Sequence, residues 1–351
     1  MGIDVKIQKR LGAFQLMVEF HGTSNRIGIL GASGCGKSMT LKCIAGIETP
    51  EDGWIRVGDQ VLFDSDRKRD LKPQKRNIGY LFQNYALFPT MTVAQNISAG
   101  LKGSRKEKQK RIEEMIEKFQ LSGLQHHFPR ELSGGQQQRT ALARIMAYEP
   151  EAILLDEPFS AMDVFLKDRL QQEMTEMLKD YTGTVILVSH SRDEIYRFSQ
   201  ELLVMEQGKH VVFGGTKEIF EHPMYREAAR LTGCKNISGI RRVDAHTLEA
   251  SDWGIILHTK GEVPLEANWV GYRAHDFVPV WGERKENCLK VAVKSVAELP
   301  FECNYYLWPE GDGRDKESIC WFLQRERQQE VEEKGIPDYL EFREEKLMFL
   351  R

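Results

Sequence analysis

A glycine-rich octapeptide, GASGCGKS at residues 31–38, constrains the fold of this 351-residue chain more than any other feature. It follows a short apolar run at 27–30 and precedes a stretch from Met39 onward that has helical character. A strand, a loop and a helix in this order are the context in which the pattern G-x-x-x-x-G-K-[ST] is informative, and the match is complete. Glycines allow backbone amides to curl around a polyphosphate, and the positive end of the helix dipole adds to the attraction. The octapeptide therefore predicts an α/β fold with a nucleotide-phosphate site.

The pattern also assigns roles to the side chains of this loop. Lys37 is expected to reach the terminal phosphates, and the Ser38 hydroxyl is expected to bind the Mg²⁺ that bridges them. Backbone amides complete the cradle, so the nucleotide contacts come from one continuous segment. The predicted contacts are Gly31, Ser33, Gly34, Cys35, Gly36, Lys37, Ser38 and Met39.

Composition limits the class of protein and its partners. The length exceeds one typical domain, and 41% hydrophobic with 29% charged residues is typical of a soluble globular protein, so two domains are expected. The net charge of −3 gives no reason to expect nucleic acid as a partner. No apolar run approaches the roughly 18 residues of a membrane span, and the first residues lack the apolar core of a signal peptide, which predicts a cytoplasmic location. The six cysteines form no C-x-x-C pair and are expected to be reduced thiols, although an even count is compatible with disulfides.

The pattern of apolar and polar residues along the chain changes near residue 230. Before it, short apolar segments alternate with helical ones, as in an α/β domain with a partly parallel sheet and an antiparallel flank. Continuous apolar runs at 153–155 and 184–188 predict strands buried on both faces. We therefore expect a nucleotide-binding domain at 1–230, with a helical subdomain at about 85–150. The short alternating segments that follow predict a small β-rich, OB-like domain at 231–351, with one helix at QRERQQEVEEKG.

Two adjacent carboxylates end one of the predicted buried strands, in AILLDEP at 152–158. The turn before Pro158 can direct both toward the phosphate site. Asp156 is then expected to hold Mg²⁺, directly or through water, and Glu157 to polarise the attacking water. The alternative interpretation is a solvated acidic turn.

A second anion site is predicted in LSGGQ at 132–136. A serine hydroxyl and free backbone amides at a helix N-terminus attract phosphate, and the residues concerned are Ser133, Gly134, Gly135 and Gln136. A single nucleotide cannot easily use two such surfaces that face apart in one monomer. A head-to-tail homodimer solves this problem, because it pairs the loop of one subunit with the serine of the other.

Together these motifs resemble those of the ATP-binding subunits of ABC transporters. GASGCGKS, LSGGQ, ILLDEP, SAMD and VSH occur in the order and approximate spacing of that family, over roughly the first 230 residues. The resemblance implies ATP with Mg²⁺, and ATP hydrolysis coupled to transport. It also implies a homodimer bound to transmembrane permease subunits at the cytoplasmic face of the membrane. An extracytoplasmic solute-binding protein would deliver the solute.

The resemblance implies roles for three further residues. Gln83 in YLFQN would join Mg²⁺ and the attacking water to the region that contacts the permease. Asp163 in SAMD would link the two nucleotide sites across the dimer, with Met162 in place of the more usual leucine. His190 in VSH would contact the γ-phosphate and sense its presence.

An aromatic residue of the N-terminal hairpin usually stacks on adenine in this family. Phe14 is the expected residue in this chain. Phe20 and His21 are the alternatives.

Shorter motifs narrow the type of transporter. The segment from 71 to 97 resembles importers for sulfate, molybdate, polyamines, iron and sugars, many of which carry a β-rich C-terminal extension. LTGCKNISG and GYRAHDF most resemble the molybdate and sulfate branch. The expected solute is therefore molybdate, tungstate or sulfate, and the alternative is a polyamine, iron or sugar importer.

The alternative functions outside transport are those of soluble proteins with the same kind of ATP-binding domain. An ATPase acting on DNA would carry a long coiled-coil insertion, but only roughly 95 residues separate Lys37 from Ser133, without extended heptads. A translation-associated protein would carry two cassettes, whereas this chain has one set of motifs. A C-terminal domain that independently senses a metabolite remains compatible with transport.

Overall fold

The computed structural model describes residues 2–160, 164–309 and 317–351, with the backbone alone at 164–166. These residues form two compact units, Met1–Lys217 and Glu218–Arg351. None of the helices in the described parts combines the length and the apolar character that a membrane span requires.

The first unit contains most of the helices and the larger sheet. Its strands are β1 (Ile3–Leu11), β2 (Phe14–Gly22), β3 (Arg26–Gly31), β4 (Asp52–Val57), β5 (Gln60–Asp64), β6 (Arg69–Asp70), β7 (Ile78–Leu81), β8 (Ala152–Asp156), β9 (Thr184–Ser189), β10 (Glu201–Glu206) and β11 (Lys209–Gly215). Its helices are α1 (Lys37–Ala45), α2 (Val93–Ser98), α3 (Arg105–Lys118), α4 (Gly134–Ala147), α5 (Val164–Met177) and α6 (Arg192–Phe198), with short 3₁₀ turns at Pro73–Lys75 and Pro129–Glu131. Helix α7 (Thr216–Glu221) crosses the boundary between the units.

The described strands of this unit form one eleven-stranded sheet in the order β6-β5-β4-β1-β2-β11-β10-β3-β9-β8-β7. The segment β10-β3-β9-β8-β7 is parallel, whereas β1 pairs antiparallel with β2 and β4. Every residue of β8 and β9 is buried, which confirms the prediction made from their continuous apolar runs. The predicted α/β fold with an antiparallel flank is therefore confirmed.

Helix α1 carries the phosphate loop into the core. It begins after Gly36 and ends at Gly46, whose φ of 76° is left-handed. A Cβ at Gly46 would lie 2.4 Å from Nε of Arg76, a fully buried side chain. Nη1 of Arg76 donates to the carbonyl oxygens of Cys43 and Ile44, both at 2.8 Å, and Nη2 donates to Oδ1 of Asp70 at 2.7 Å. A guanidinium thus binds the carbonyl end of α1, where a helix leaves acceptors without partners.

The second unit is β-rich, as predicted. Its strands are β12 (Asn236–Arg242), β13 (Thr247–Ala250), β14 (Ile255–His258), β15 (Trp269–Tyr272), β16 (Val278–Val280), β17 (Cys288–Glu298), β18 (Glu302–Pro309), β19 (Ile319–Gln324), β20 (Tyr339–Glu341) and β21 (Met348–Leu350). Helices α8 (Arg226–Leu231) and α9 (Arg325–Lys334) and a 3₁₀ turn at Glu344–Lys346 accompany them. Among the residues described there, the strands form two five-stranded sheets, β14-β13-β12-β15-β21 and β16-β20-β17-β18-β19. Their common core includes an aromatic cluster of Trp253, Tyr272, Phe277 and Phe342.

Strand β17 is longer than β20, its neighbour on one side. β20 pairs only with its first residues, Cys288–Lys290, whereas β18 follows it to Glu298. The register with β18 shifts between Val293 and Ser295, and Nζ of Lys294 lies 4.0 Å from the ring centroid of Trp308.

Candidate functional site

The predicted phosphate loop connects β3 to α1. Gly34 and Gly36 have φ of 78° and 105°, in the left-handed region that favours glycine. A Cβ on Gly36 would lie 2.7 Å from Cδ1 of Leu16, and one on Gly31 would lie 2.5 Å from the carbonyl oxygen of Met205. Space therefore restricts positions 31 and 36, backbone conformation restricts positions 34 and 36, and Gly36 is required for both reasons.

The other residues of the loop divide into an outer and an inner set. Ser33 and Gly34 are exposed, while the Cys35 side chain is buried and burial raises the pKa of its thiol. Met39 is half-buried and packs against the hydrophobic core. The exposed outer set leaves backbone of the loop accessible to a ligand.

Lys37 lies across the inside of the loop and is only 4% exposed. Its Nζ donates to the carbonyl oxygens of Gly31 at 2.8 Å and Ala32 at 2.9 Å. The same Nζ lies 3.8 Å from Oε1 of Glu157. A buried positive charge is thus held beside the loop and beside a carboxylate.

Asp156 receives a hydroxyl on each of its two carboxylate oxygens. Oγ of Ser38 donates to Oδ1 at 2.7 Å, and the hydroxyl of Tyr80 donates to Oδ2 at 2.8 Å. Burial, and then the charge of Asp156, raises the pKa of Tyr80, so this hydroxyl remains a donor. Serine and carboxylate oxygens are ligands that Mg²⁺ prefers, so the pair Ser38 and Asp156 fits this ion. Sequence reasoning missed Tyr80.

Glu157 stands at the turn that follows β8. Its φ is 45°, in the left-handed region where few residues other than glycine are found, and its N–H donates to the carbonyl oxygen of Val188 at 3.1 Å. Oε2 lies 3.4 Å from Nδ1 of His190, whose side chain is 56% exposed. Because Oε1 faces Lys37, the carboxylate lies between an ammonium and an imidazole.

Gln83 reaches this cluster through one intermediate residue. Its Nε2 donates to Oγ of Ser160 at 2.9 Å, and that hydroxyl donates to the carbonyl oxygen of Glu157 at 3.0 Å. The structure therefore brings together the predicted residues of four separate segments. They are Lys37, Ser38, Asp156, Glu157 and His190, with Gln83 joined through Ser160.

The LSGGQ segment forms the start of α4, as predicted. Ser133 is the N-cap: its Oγ accepts from the N–H of Gln136 at 3.4 Å, and its own N–H donates to Oε1 of Gln136 at 2.8 Å. Ser133 and Gly134 are exposed, whereas Gly135 is buried, and a Cβ there would lie 3.0 Å from Cδ2 of Leu170. Within the described part of the chain, no hydrogen bond or ion pair joins this segment to the phosphate loop. Asp163, predicted to link the two subunits, and the neighbouring Met162 lie outside the described residues.

The three aromatic or heterocyclic candidates for adenine stacking have different surroundings. Phe14 is half-buried at the start of β2, and its Cζ would lie 3.2 Å from a Cβ on Gly36 of the phosphate loop. Phe20 is 5% exposed and packs on Phe213, with ring centroids 5.5 Å apart. His21 is exposed and contacts the carboxylate of Asp4. Phe14 is thus the candidate that lies next to the loop.

The chain matches the family model described as ABC transporter over residues 21–160. It is 36% identical over 235 residues to the probable sulfate/thiosulfate import ATP-binding protein CysA of Chlorella vulgaris, covering 65% of this chain and 97% of that protein. It is 42% identical over 216 residues to the spermidine/putrescine import ATP-binding protein PotA of Nitrosomonas europaea, but there it spans only 58% of the relative and 61% of its own length.

Similarity extends to solved structures. A dimeric ATP-binding cassette in a post-hydrolysis state, bound to ADP and Pi, superposes with a TM-score of 0.51 at 26% identity. The superposition covers 62% of this chain and 99% of that one. These two relatives and this solved structure align with 61–65% of the chain.

Proposed function

Because the chain belongs to the ABC transporter family of ATP-binding proteins, which hydrolyse ATP, we propose that it supplies the energy for solute import through a separate membrane permease. The observation that carries this proposal is the cluster at the ends of β8 and β9. There a carboxylate, Glu157, lies between Lys37 and His190 and next to the Ser38–Asp156 pair. This is the set of groups that hydrolysis of a phosphoanhydride requires.

Each residue of the cluster has a role in the proposed reaction. Glu157 accepts the proton of the water that attacks the γ-phosphate, and Lys37 stabilises the negative charge on the transferred group. His190, next to Glu157, contacts the γ-phosphate. Ser38 and Asp156, with Gln83, would hold Mg²⁺, which supplies charge neutralisation at the phosphates.

The proposed active form is a head-to-tail homodimer. Ser133 and Gly134 are exposed at the N-terminus of a 14-residue helix, where an anion is stabilised by free amides and the helix dipole. In the dimer, this helix start, with Gly135 and Gln136, completes the nucleotide site of the other subunit. Asp163 links the two sites. The solved cassette bound to ADP and Pi, which is a dimer, supports this arrangement.

A surface next to Gln83 is suited to contact the permease. Tyr85 and Ala86 have positive φ values of 58° and 42°, and Arg144 of α4 donates to their carbonyl oxygens at 3.0 and 2.7 Å. Phe88 follows and is 45% exposed, with the Arg144 guanidinium 5.4 Å from its ring centroid. Aromatic side chains are common anchors of protein–protein interfaces, so Phe88 on this anchored turn is the residue we expect to meet the permease. The permease would thereby place this chain at the cytoplasmic face of the membrane.

The proposed solute is a tetrahedral oxyanion: sulfate, or molybdate or tungstate. The sulfate/thiosulfate relative supports it, because the chain covers almost the whole of that protein. An extracytoplasmic binding protein would deliver the anion. A polyamine importer is the second candidate, favoured by the higher identity to the spermidine/putrescine relative.

Uptake in cells tests the proposal directly. We expect uptake of radiolabelled sulfate or molybdate in cells that carry the wild-type chain, and its loss with Glu157→Gln. Competition of each anion with the other and with tungstate identifies the preferred oxyanion. Uptake of labelled spermidine instead would favour the second candidate. Undiminished anion uptake with Glu157→Gln would mean that this chain does not drive the transport.

Glu157→Gln should also lower ATP hydrolysis by the purified protein about 10² to 10⁴-fold while leaving ATP binding intact, because it removes a general base without changing shape. Release of phosphate measures hydrolysis, and binding of a fluorescent ATP analogue measures affinity. The matched control is Glu149→Gln, since the Glu149 side chain is 78% exposed and forms its ion pair with Arg111, on the surface. Equal turnover of the two variants would exclude Glu157 as the base.

A further inference from the structure

A buried carboxylate lies on the first turn of α6, four residues after His190. Glu194 is 5% exposed, although glutamate is rarely buried without a specific partner. Its Oε2 accepts from Oγ of Ser189 at 2.6 Å, and its Oε1 lies 2.5 Å from Nζ of Lys167. Each of the two carboxylate oxygens therefore has its own partner, one from β9 and one from α5.

The contact with Ser189 fixes the turn that projects His190. Ser189 is the last residue of β9, and its Oγ also accepts from the N–H of Ser191 at 2.9 Å. Ser191 is the N-cap of α6 and accepts from the N–H of Glu194 at 3.5 Å. The residues on both sides of His190 are thus joined to one hydroxyl and, through it, to one carboxylate.

The contact with Lys167 joins this turn to α5. A second side chain of α5 supports the link, because Nε2 of the buried Gln171 donates to the carbonyl oxygen of Glu194 at 3.3 Å. A third α5–α6 contact, between Asp168 and Arg197 at 2.8 Å, is exposed, and exposed ion pairs contribute little. α5 begins at Val164, directly after the SAMD segment to which the proposed function assigns the link between subunits.

We propose that Glu194 is a positioning residue that holds the imidazole of His190 toward Glu157 and couples its position to α5. The inference rests on the proposed function, since it gives the helix after the SAMD segment a route to the γ-phosphate contact. Movement of α5 on dimer closure is passed through Lys167 and Glu194 to Ser189, and so to the turn that carries His190. Dimer closure would thereby adjust the position of His190 relative to the γ-phosphate of the bound nucleotide.

The test uses the full-length chain with Glu194→Gln, which keeps the side-chain volume and weakens the ion pair with Lys167. We expect kcat for ATP hydrolysis to fall about tenfold to hundredfold, the effect of a displaced group in a catalytic site, with ATP affinity within about twofold. The matched control is Asp168→Asn, which removes the exposed ion pair between the same two helices and should leave kcat unchanged.

Two readouts separate positioning from a general loss of structure. The imidazole resonance of His190, assigned by its absence in His190→Ala, should shift in Glu194→Gln and stay in place in Asp168→Asn. In the His190→Ala background, Glu194→Gln should cause no further loss of kcat. An unshifted resonance, or additive losses in the double variant, would overturn the proposal.

A pair of variants on α5 keeps the test independent of how well Glu194→Gln folds. Lys167→Met should reproduce the low kcat, and Lys167→Arg, which retains the charge, should restore it. Equal kcat in these two variants would also contradict the coupling. The failure of the proposed function would be distinct, because a wild-type chain without ATPase activity would still give the His190 resonance and its dependence on Glu194.

Discussion

Asp156 is held by two hydroxyl groups, and only one of them belongs to the phosphate loop. A carboxylate between two donors has a fixed orientation and keeps lone pairs that would be free to bind a cation. The Tyr80 hydroxyl comes from the strand next to β8 and is buried. In the proposed function the two hydroxyls would have different roles: Ser38 would itself bind Mg²⁺, whereas Tyr80 would orient Asp156.

Tyr80→Phe should raise the Mg²⁺ concentration needed for half-maximal ATP hydrolysis by about tenfold, because partners behind a metal ligand commonly change affinity to that extent. ATPase rates across a Mg²⁺ titration at fixed ATP measure the effect. Tyr148→Phe is the control, since it removes another hydroxyl, which donates to the carbonyl oxygen of Ile78 at 3.3 Å and has no contact with Asp156. The same Mg²⁺ requirement in both variants would refute the orienting role.

At the scale of elements, α1 is held at both ends, by close packing at its start and by hydrogen bonds at its end, and this fixes the phosphate loop. Gly36 begins the helix against β2, and Arg76 closes its C-terminal end. A helix held at only one end could slide along its axis and carry Lys37 with it. The buried guanidinium therefore stabilises the phosphate loop from the opposite end of α1, about two helical turns away.

Arg76→Met should lower the free energy of unfolding by about 3 kcal/mol, because it removes the buried guanidinium that donates to the carbonyl oxygens of Cys43 and Ile44 and to Asp70. Urea unfolding followed by far-UV circular dichroism measures this change. Arg67→Met is the matched variant: the side chain of Arg67 is 77% exposed and lies 3.6 Å from Asp64, so about 0.5 kcal/mol or less is expected. Similar losses in the two variants would mean that the buried contacts of Arg76 contribute nothing specific.

Elements with a strong pattern were predictable from the sequence, and short ones were not. The apolar runs of β8 and β9 are confirmed as buried strands, and Ile112, Met115 and Ile116, which recur at helical spacing in the sequence, are the buried residues of α3. Strands of two or three residues, such as β6 and β20, are too short to carry a period and exist because a neighbouring strand supplies their hydrogen bonds.

The same distinction applies to the site. Lys37, Ser38, Asp156 and Glu157 lie in motifs whose spacing is local, so the sequence indicated them. Tyr80 comes from a strand 76 residues before Asp156, and it enters the site only because β7 pairs with β8. Glu194 stands only four residues after His190, yet its burial depends on Lys167 from another helix. Neither contact leaves a signal in the sequence alone.

At the scale of the whole molecule, the two units have separate cores and can be followed separately. Five of the six tryptophans lie beyond residue 250, so tryptophan fluorescence reports mainly on the second unit. Circular dichroism follows the helices, most of which belong to the first. The unfolding of each unit is thus accessible in the intact chain.

Stability of the second unit should fall above pH 9. Burial raises the pKa of Cys234 from 9.0 to about 11, so in this window the folded chain keeps a proton that the unfolded chain releases. The stabilisation is complete below pH 9 and is lost as the pH rises through about 11, by roughly 2 to 3 kcal/mol. Urea unfolding followed by tryptophan fluorescence at pH 8 to 11 measures it. Cys234→Ala should show a shallower decline, and an equal slope would exclude this thiol as the cause.

The unequal lengths of β17 and β20 have a consequence for association between molecules. Among the described residues, no strand pairs with the outer side of β17 after Lys290, and Val293 and Val296 are 41% and 44% exposed. An open apolar edge is a template for unwanted sheet growth. The shift in register after Val293, with a lysine at the irregular position, interrupts that template. A lysine at an irregular strand position makes this edge a poorer template, so we expect Lys294 to lower its tendency to pair with a second copy of the chain.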